Sequence, residues 1–191
     1  MKKFTKPGII ILIIGITIFG AGYYWYRSLF KDFSHYETVA SDLTYVKTGK
    51  LVGLSKSGDK YYEIKNENPD DLLYVEYPWM SGGNIVKSKT AKVPELNDSD
   101  CIYILNMNSN DWIMLNDKDI IDSLKSIITD GDKREVFQVG MTYTGLIRFS
   151  YSEHPGLCYW YECYKDFEGN VLIGGTAYVY QTKDLLSAYY Q

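Results

Sequence analysis

Twenty consecutive uncharged residues, Pro7 to Tyr26, constrain this chain more than any other feature. Seven isoleucines and Leu12 crowd between Ile9 and Ile18, and Phe19 follows. As a helix such a run is about 30 Å long, the thickness of a hydrocarbon core. A helix apolar on every face is unusual for an ordinary soluble domain. Tyr23-Tyr24-Trp25-Tyr26 closes the run, and rings with one apolar and one polar end favour a membrane–water interface. Residues 7–26 are therefore expected to form a single transmembrane helix, a signal-anchor, behind a cytoplasmic tail of residues 1–6. The competing reading is a secretory signal. Lys2, Lys3 and Lys6 would be its basic region, Gly8 to Phe19 its apolar region, and Gly20-Ala21-Gly22 would permit cleavage after Gly22. Against cleavage, the four aromatics extend the apolar stretch to full membrane width.

Flanking charge sets the expected orientation. Three lysines precede the segment, while Arg27 and Lys31 follow it. That bias predicts a single-pass protein of the cell membrane, with its N-terminus cytoplasmic and its C-terminal domain extracytoplasmic. Residues 27–41 mix aromatics with charges and read as a linker. Residues 42–191 read as the domain itself, with a possible sub-boundary near 108–116.

Beyond residue 32 the chain keeps 15 basic and 23 acidic residues, a formal charge of −8. Such a surface repels phosphate backbones, and no basic stripe is present, so nucleic acid is set aside as a partner. Nineteen tyrosines mark a tyrosine-rich sheet, since tyrosine suits strands and covers apolar surface with a wet polar tip. The sharper alternative is a surface that binds glycan or peptide. Cys101, Cys158 and Cys163 have no metal-ligand spacing. In a strand, Cys158 and Cys163 face opposite sides, about 16 Å apart and beyond bridging. A disulfide from Cys101 to either is the alternative to three buried thiols.

Strand patterning begins near Leu43. Leu51 to Leu54 and Tyr61 to Ile64 flank a turn-rich stretch, Ser55 to Lys60, and predict a hairpin. Leu72 to Tyr77, Ile85 to Val93 and Cys101 to Leu105 are further strand candidates. Asp117 to Thr129 is the clearest helix, with an apolar stripe at Ile120, Ile121, Leu124, Ile127 and Ile128. Asn116 or Asp117 can cap it, Gly131 is expected to end it in a left-handed turn, and its acidic polar face predicts packing on a sheet. Four more strands are expected at Glu135–Val139, Thr144–Tyr151, Leu157–Tyr164 and Val171–Tyr180. Leu157–Tyr164, apolar on both faces, belongs in the centre of the sheet. Thr182 can cap a short helix through Leu185, Leu186 and Tyr189. The expected fold class is α+β: an N-terminal single transmembrane helix, then a mainly antiparallel β domain with one amphipathic helix and a short C-terminal helix.

Chemistry is sparse. His35 falls in the linker, which leaves His154 as the one base of the usual kind, with Cys158 four residues on. A thiol nucleophile needs an imidazole within hydrogen-bond reach, and Pro155-Gly156 could fold the two together. The simpler reading is a loop histidine beside a strand cysteine. Asp70-Asp71, Asp98-Asp100, Asp117-Asp119 and Asp130-Asp132 all lie at breaks or helix ends, where aspartate is favoured structurally. Asn97 to Asp100 and Asp130 to Asp132 lack the continuation of a calcium loop, so no metal site is assigned. The glycine pairs 82–83 and 174–175 carry neither a P-loop lysine nor a dinucleotide fingerprint, and no cofactor is expected. Gly174-Gly175 instead predicts a bulge or a close backbone approach. The expected function is non-enzymatic: a membrane-held binding or regulatory domain facing a protein, a peptide or an envelope component. Immunity against a secreted toxin or sensing at the cell surface would both fit. The alternatives are an envelope hydrolase using His154 with Cys158 or a carboxylate, and a structural subunit of a membrane complex.

Overall fold

Short strands after residue 35 build two antiparallel sheets. A computed structural model describes residues 6–39, 42–107, 110–135, 141–174, 178–182 and 185–190, with side chains from Ile14 onward except at 134 and 135. A helix, α1 (Lys6–Ser28), is followed by β1 (Tyr36–Thr38), β2 (Leu43–Tyr45), β3 (Thr48–Leu54), β4 (Lys60–Ile64), β5 (Leu72–Glu76) and β6 (Gly83–Ser88). Next come β7 (Cys101–Asn106), β8 (Asp111–Leu115), α2 (Lys118–Asp130) and β9 (Arg134–Glu135). The chain ends with β10 (Thr142–Ser150), β11 (Leu157–Lys165), β12 (Val171–Gly174) and β13 (Tyr178–Gln181). Sheet A runs β1-β6-β5-β4-β3. Sheet B runs β8-β7-β10-β11-β12-β13-β9, with β2 added beside β11. The outer side of β11 is shared, since its residues 157–159 pair with β2 and residues 162–165 with β12.

Two parts of the sequence expectation are corrected here. Every named strand pair is antiparallel, and among the described residues thirteen strands accompany two α-helices, so the fold is mostly antiparallel β rather than α+β. The expected transmembrane helix over residues 7–26 is overturned as well. Among the described residues no helix is long and apolar enough to cross a membrane. That finding covers α1 where its side chains are described, from Ile14 to Ser28. Gly15, Thr17, Gly20, Gly22 and Arg27 dilute that stretch. The single-pass and signal-anchor expectations are corrected with it. The helix joins the β structure through backbone bonds from Lys31 N–H to Leu54 O (3.0 Å) and from Leu54 N–H to Leu29 O (2.7 Å).

Local chemistry explains the elements that were anticipated. The β3–β4 hairpin closes through Ser55 N–H to Asp59 O, with Gly58 at φ +91°, the left-handed region that favours glycine. Between β11 and β12, Asp166 accepts from the backbone N–H groups of Glu168 and Asn170 and so fixes the turn. Asp117 caps α2 by accepting from Asp119 N–H (3.0 Å) and Ile120 N–H (3.3 Å). Gly131 ends that helix through its N–H to Ile127 O, but in extended conformation (φ −74°), not in the left-handed turn expected. The expected Glu135–Val139 strand is described only at Arg134–Glu135, and residues 136–139 lie outside the described residues. Gly174 sits where a Cβ would meet Tyr178 O at 2.1 Å, the close approach its pairing predicts; Gly175 lies outside the described residues. The expected C-terminal helix is a single 3-10 turn, Ser187–Tyr189, and Thr182 donates its hydroxyl to Val171 O instead of capping it.

Three apolar clusters hold the layers. Ile121, Leu124 and Ile128 of α2 pack on Ile102, Ile104, Ile147 and Phe149 of sheet B, closed below by Leu186 and Tyr190. Full burial of one such leucine or isoleucine contributes about 1.5–3 kcal/mol. Ile64, Leu72, Tyr74 and Ile85 of sheet A meet Leu43, Tyr151 and Leu157, which joins the two sheets. On the far face of sheet A, Phe33 stacks on Tyr61 (centroids 3.7 Å apart) over Leu73, Val75 and Val86. Because β5 is covered on both faces, its sequence reads as an unbroken apolar run.

Candidate functional site

The turn joining β10 to β11, residues 151–156, is held from four sides. Tyr151 donates its hydroxyl to Glu95 O at 3.0 Å. Both oxygens of the Asp100 carboxylate accept from Ser152 N–H, at 3.0 and 3.1 Å. Val46 N–H reaches Gly156 O at 2.9 Å. Glu67, its side chain 4% exposed, accepts from Gly156 N–H through one oxygen (2.8 Å) and meets His154 Nδ1 with the other (2.8 Å). A glycine is required at 156, where a Cβ would lie 2.4 Å from Lys65 O. A loop fastened at so many points is a rigid platform, and two clefts open beside it.

The first cleft, about 440 Å³, is lined by His154, Lys92, Pro94, Asp98, Asp100 and Tyr151 among others. A neutral imidazole that donates from Nδ1 to the Glu67 carboxylate would present Nε2 as an acceptor, the arrangement a general base requires. Cys158 does not join it. That thiol is wholly buried, accepts a hydrogen bond from Trp160 Nε1, and burial pushes its pKa up to about 12. Among the described residues no hydrogen bond links His154 to Cys158. His35 is exposed beside the Tyr36 ring.

All three cysteines are free thiols. Register explains why. Cys101 and Cys158 both face Ser150 across β10, which puts them two strands apart, about 9.5 Å and beyond disulfide reach. Cys163 lies on the opposite face of β11, in the core under α2, as the strand parity anticipates. Burial also pushes Cys163 up to about 12. Asp98, one of the paired carboxylates, accepts from Glu95 N–H in a 3-10 turn, and Asp130 ends α2. Among the described residues no group of three metal-ligating side chains occurs.

The second cleft, about 500 Å³, lies on the face of sheet B turned away from α2. There β8, β7, β10 and β11 set Trp112, Tyr103, Arg148 and Trp160 side by side, because Tyr103 is opposite Arg148 and Arg148 is opposite Trp160. The Arg148 guanidinium lies 4.4 Å from the Tyr103 ring centroid, 5.0 Å from Trp112 and 5.9 Å from Trp160. Met114 (51% exposed) lines the cleft, and Trp112 (41%) is exposed beside Arg148. Asp100, Tyr151 and Ser152 line both clefts, so the two adjoin.

Sequence reasoning singled out His154 and missed both Glu67 and Arg148. Glu67 lies 87 residues from His154 in a polar break that gives no hint of a partner. Arg148 did leave a signal: it is the one cation within the apolar strand Thr144–Tyr151. Two further hollows flank α2, but they are lined chiefly by aspartate, serine and isoleucine and offer no cation or imidazole. No protein-family model, no curated protein and no solved structure matches the chain.

Proposed function

We propose that the protein is a non-enzymatic binding domain, and that a protein or peptide partner docks on the face of sheet B around Arg148. The observation that carries this reading is the side-by-side placement of Tyr103, Trp112, Trp160 and Arg148, rimmed by the exposed Met114. Tyrosine, tryptophan, methionine and arginine are the residue types enriched in protein interfaces. Rigid rings on paired strands lose little entropy on binding. The test is site-specific photocrosslinking in cells from positions 112 and 114, with position 167 as control. Phe167 is 83% exposed on the β11–β12 turn. A specific crosslinked protein should form at 112 and 114, and its purified form should bind the wild-type chain at least tenfold more tightly than Trp112→Ala. Equal crosslinking from all three positions would overturn the proposal.

One observation favours a second reading, a hydrolase: His154 is oriented by Glu67 in a cleft that also holds Asp98 and Asp100. Cys158 supplies no nucleophile, so water activated by His154 would have to attack. Hydrolysis of chromogenic esters or amides that vanishes in His154→Gln would support it. Identical background rates for the two proteins would remove it.

A further inference from the structure

Arg148 is an unusual cation. Its side chain makes no hydrogen bond and no ion pair among the described residues, and its Nε is buried without a partner. Of the five N–H donors of a guanidinium, the Nε–H of Arg148 is the one buried without a partner, and leaving a buried donor unmet is costly. Three aromatic rings compensate its charge from the side, but they accept none of its hydrogen bonds well. Two residues along β10 on the same face, Ser150 is 6% exposed, and its Oγ is also buried without a partner. Both residues line the same cleft of about 500 Å³. Asp100, the nearby carboxylate, is turned to Ser152 N–H and does not pair with Arg148.

On the reading that a peptide or protein docks on this face, we infer that Arg148 anchors one carboxylate of that partner, with apolar side chains beside it resting on Trp112 and Met114. The planar guanidinium matches a carboxylate in bidentate fashion. Charge complementarity limits the ligand to a single anionic group. Asp100 lines the cleft, Glu162 lies on the same face of β11, and the chain carries a formal charge of −4, so a polyanion is repelled. The aromatic surround selects for an apolar body attached to that carboxylate.

The experiment titrates the full chain with 3-phenylpropanoate, its amide and phenyl phosphate, following the arginine Nε–H and tryptophan indole N–H signals by NMR. Arg148 is one of three arginines, and Arg148→Lys assigns its signal. The acid should shift the Arg148 signal and the indole signals of Trp112 and Trp160, the amide should bind at least tenfold more weakly, and Arg148→Lys should lose the acid's advantage. Acid and amide binding alike, or phosphate binding more tightly than carboxylate, would overturn the inference. That comparison on the wild-type chain needs no variant to fold. Two further probes, a blocked dipeptide with a free C-terminal carboxylate and an amidated peptide with an internal glutamate, separate a chain end from a side chain as the source. A crosslink at 112 and 114 without preference for carboxylate would leave the docking face standing and remove the Arg148 anchor alone.

Discussion

Glu67 and His154, 87 residues apart in sequence, meet at 2.8 Å, and the same carboxylate receives Gly156 N–H at 2.8 Å. One buried side chain from the loop after β4 therefore fixes the turn between β10 and β11 and ties sheet A to sheet B. Both clefts beside that turn depend on the tie.

Removing that carboxylate should loosen the turn. Glu67→Ala leaves the Gly156 amide and the His154 ring without partners, at a cost of about 2–4 kcal/mol. Glu67→Gln keeps an acceptor and should cost less than half as much. Urea denaturation followed by tryptophan fluorescence measures both. Equal midpoints for wild type and Glu67→Ala would show that the contact contributes nothing.

Gly156→Ala should be comparably damaging through sterics alone. Its Cβ would lie 2.4 Å from Lys65 O and 2.8 Å from Glu67 Cγ, and backbone on one side cannot easily move. A loss of about 1–3 kcal/mol is expected. A thermal midpoint unchanged within error would mean that the turn yields freely.

Thiol chemistry gives a direct check on register. In the native protein Cys158 and Cys163 should resist a disulfide reagent for hours, since both are buried and burial holds each at about 12. Cys101 is half-buried, with its pKa raised first by burial and then by Asp100, and should react slowly. In concentrated guanidinium three thiols should titrate at once. Fewer than three would reveal a disulfide and contradict the two-strand separation of Cys101 and Cys158.

Alkaline pH should destabilise the fold. Cys158 and Cys163 rise from 9.0 to about 12, and Tyr74 and Tyr164 rise from 10.0 to about 12, all chiefly through burial. Between those values the unfolded chain has released protons that the native chain retains. Stability is therefore complete below about pH 9 and falls as pH rises towards 12. Melting temperatures across pH 7 to 11, with tyrosinate absorbance as a second reading, should show the decline. A flat profile above pH 9 would be inconsistent with these burials.

Loss of the α2 cap tests the helix reading. Asp117→Ala frees the backbone N–H groups of Asp119 and Ile120 and should cost about 1 kcal/mol. Asp117→Asn, which keeps an acceptor, should stay within a few tenths of wild type by the same denaturation assay.

Local signals in the sequence determined local structure. The stripe of Ile121, Leu124 and Ile128 defined α2, the turn residues at 55–60 defined a hairpin, and alternation placed Cys158 and Cys163 on opposite faces of β11. These follow from periodicity and turn chemistry within a few residues. Hydropathy over residues 7–26 misled: among the described residues no helix is long and apolar enough to cross a membrane. Tertiary structure alone decided the pairings. Nothing local announces that β2 and β12 share one side of β11, that Glu67 meets His154, or that Trp112, Tyr103 and Trp160 converge on Arg148. Such contacts depend on strand order and register between distant segments, and a one-residue slip would turn every one of those side chains to the other face.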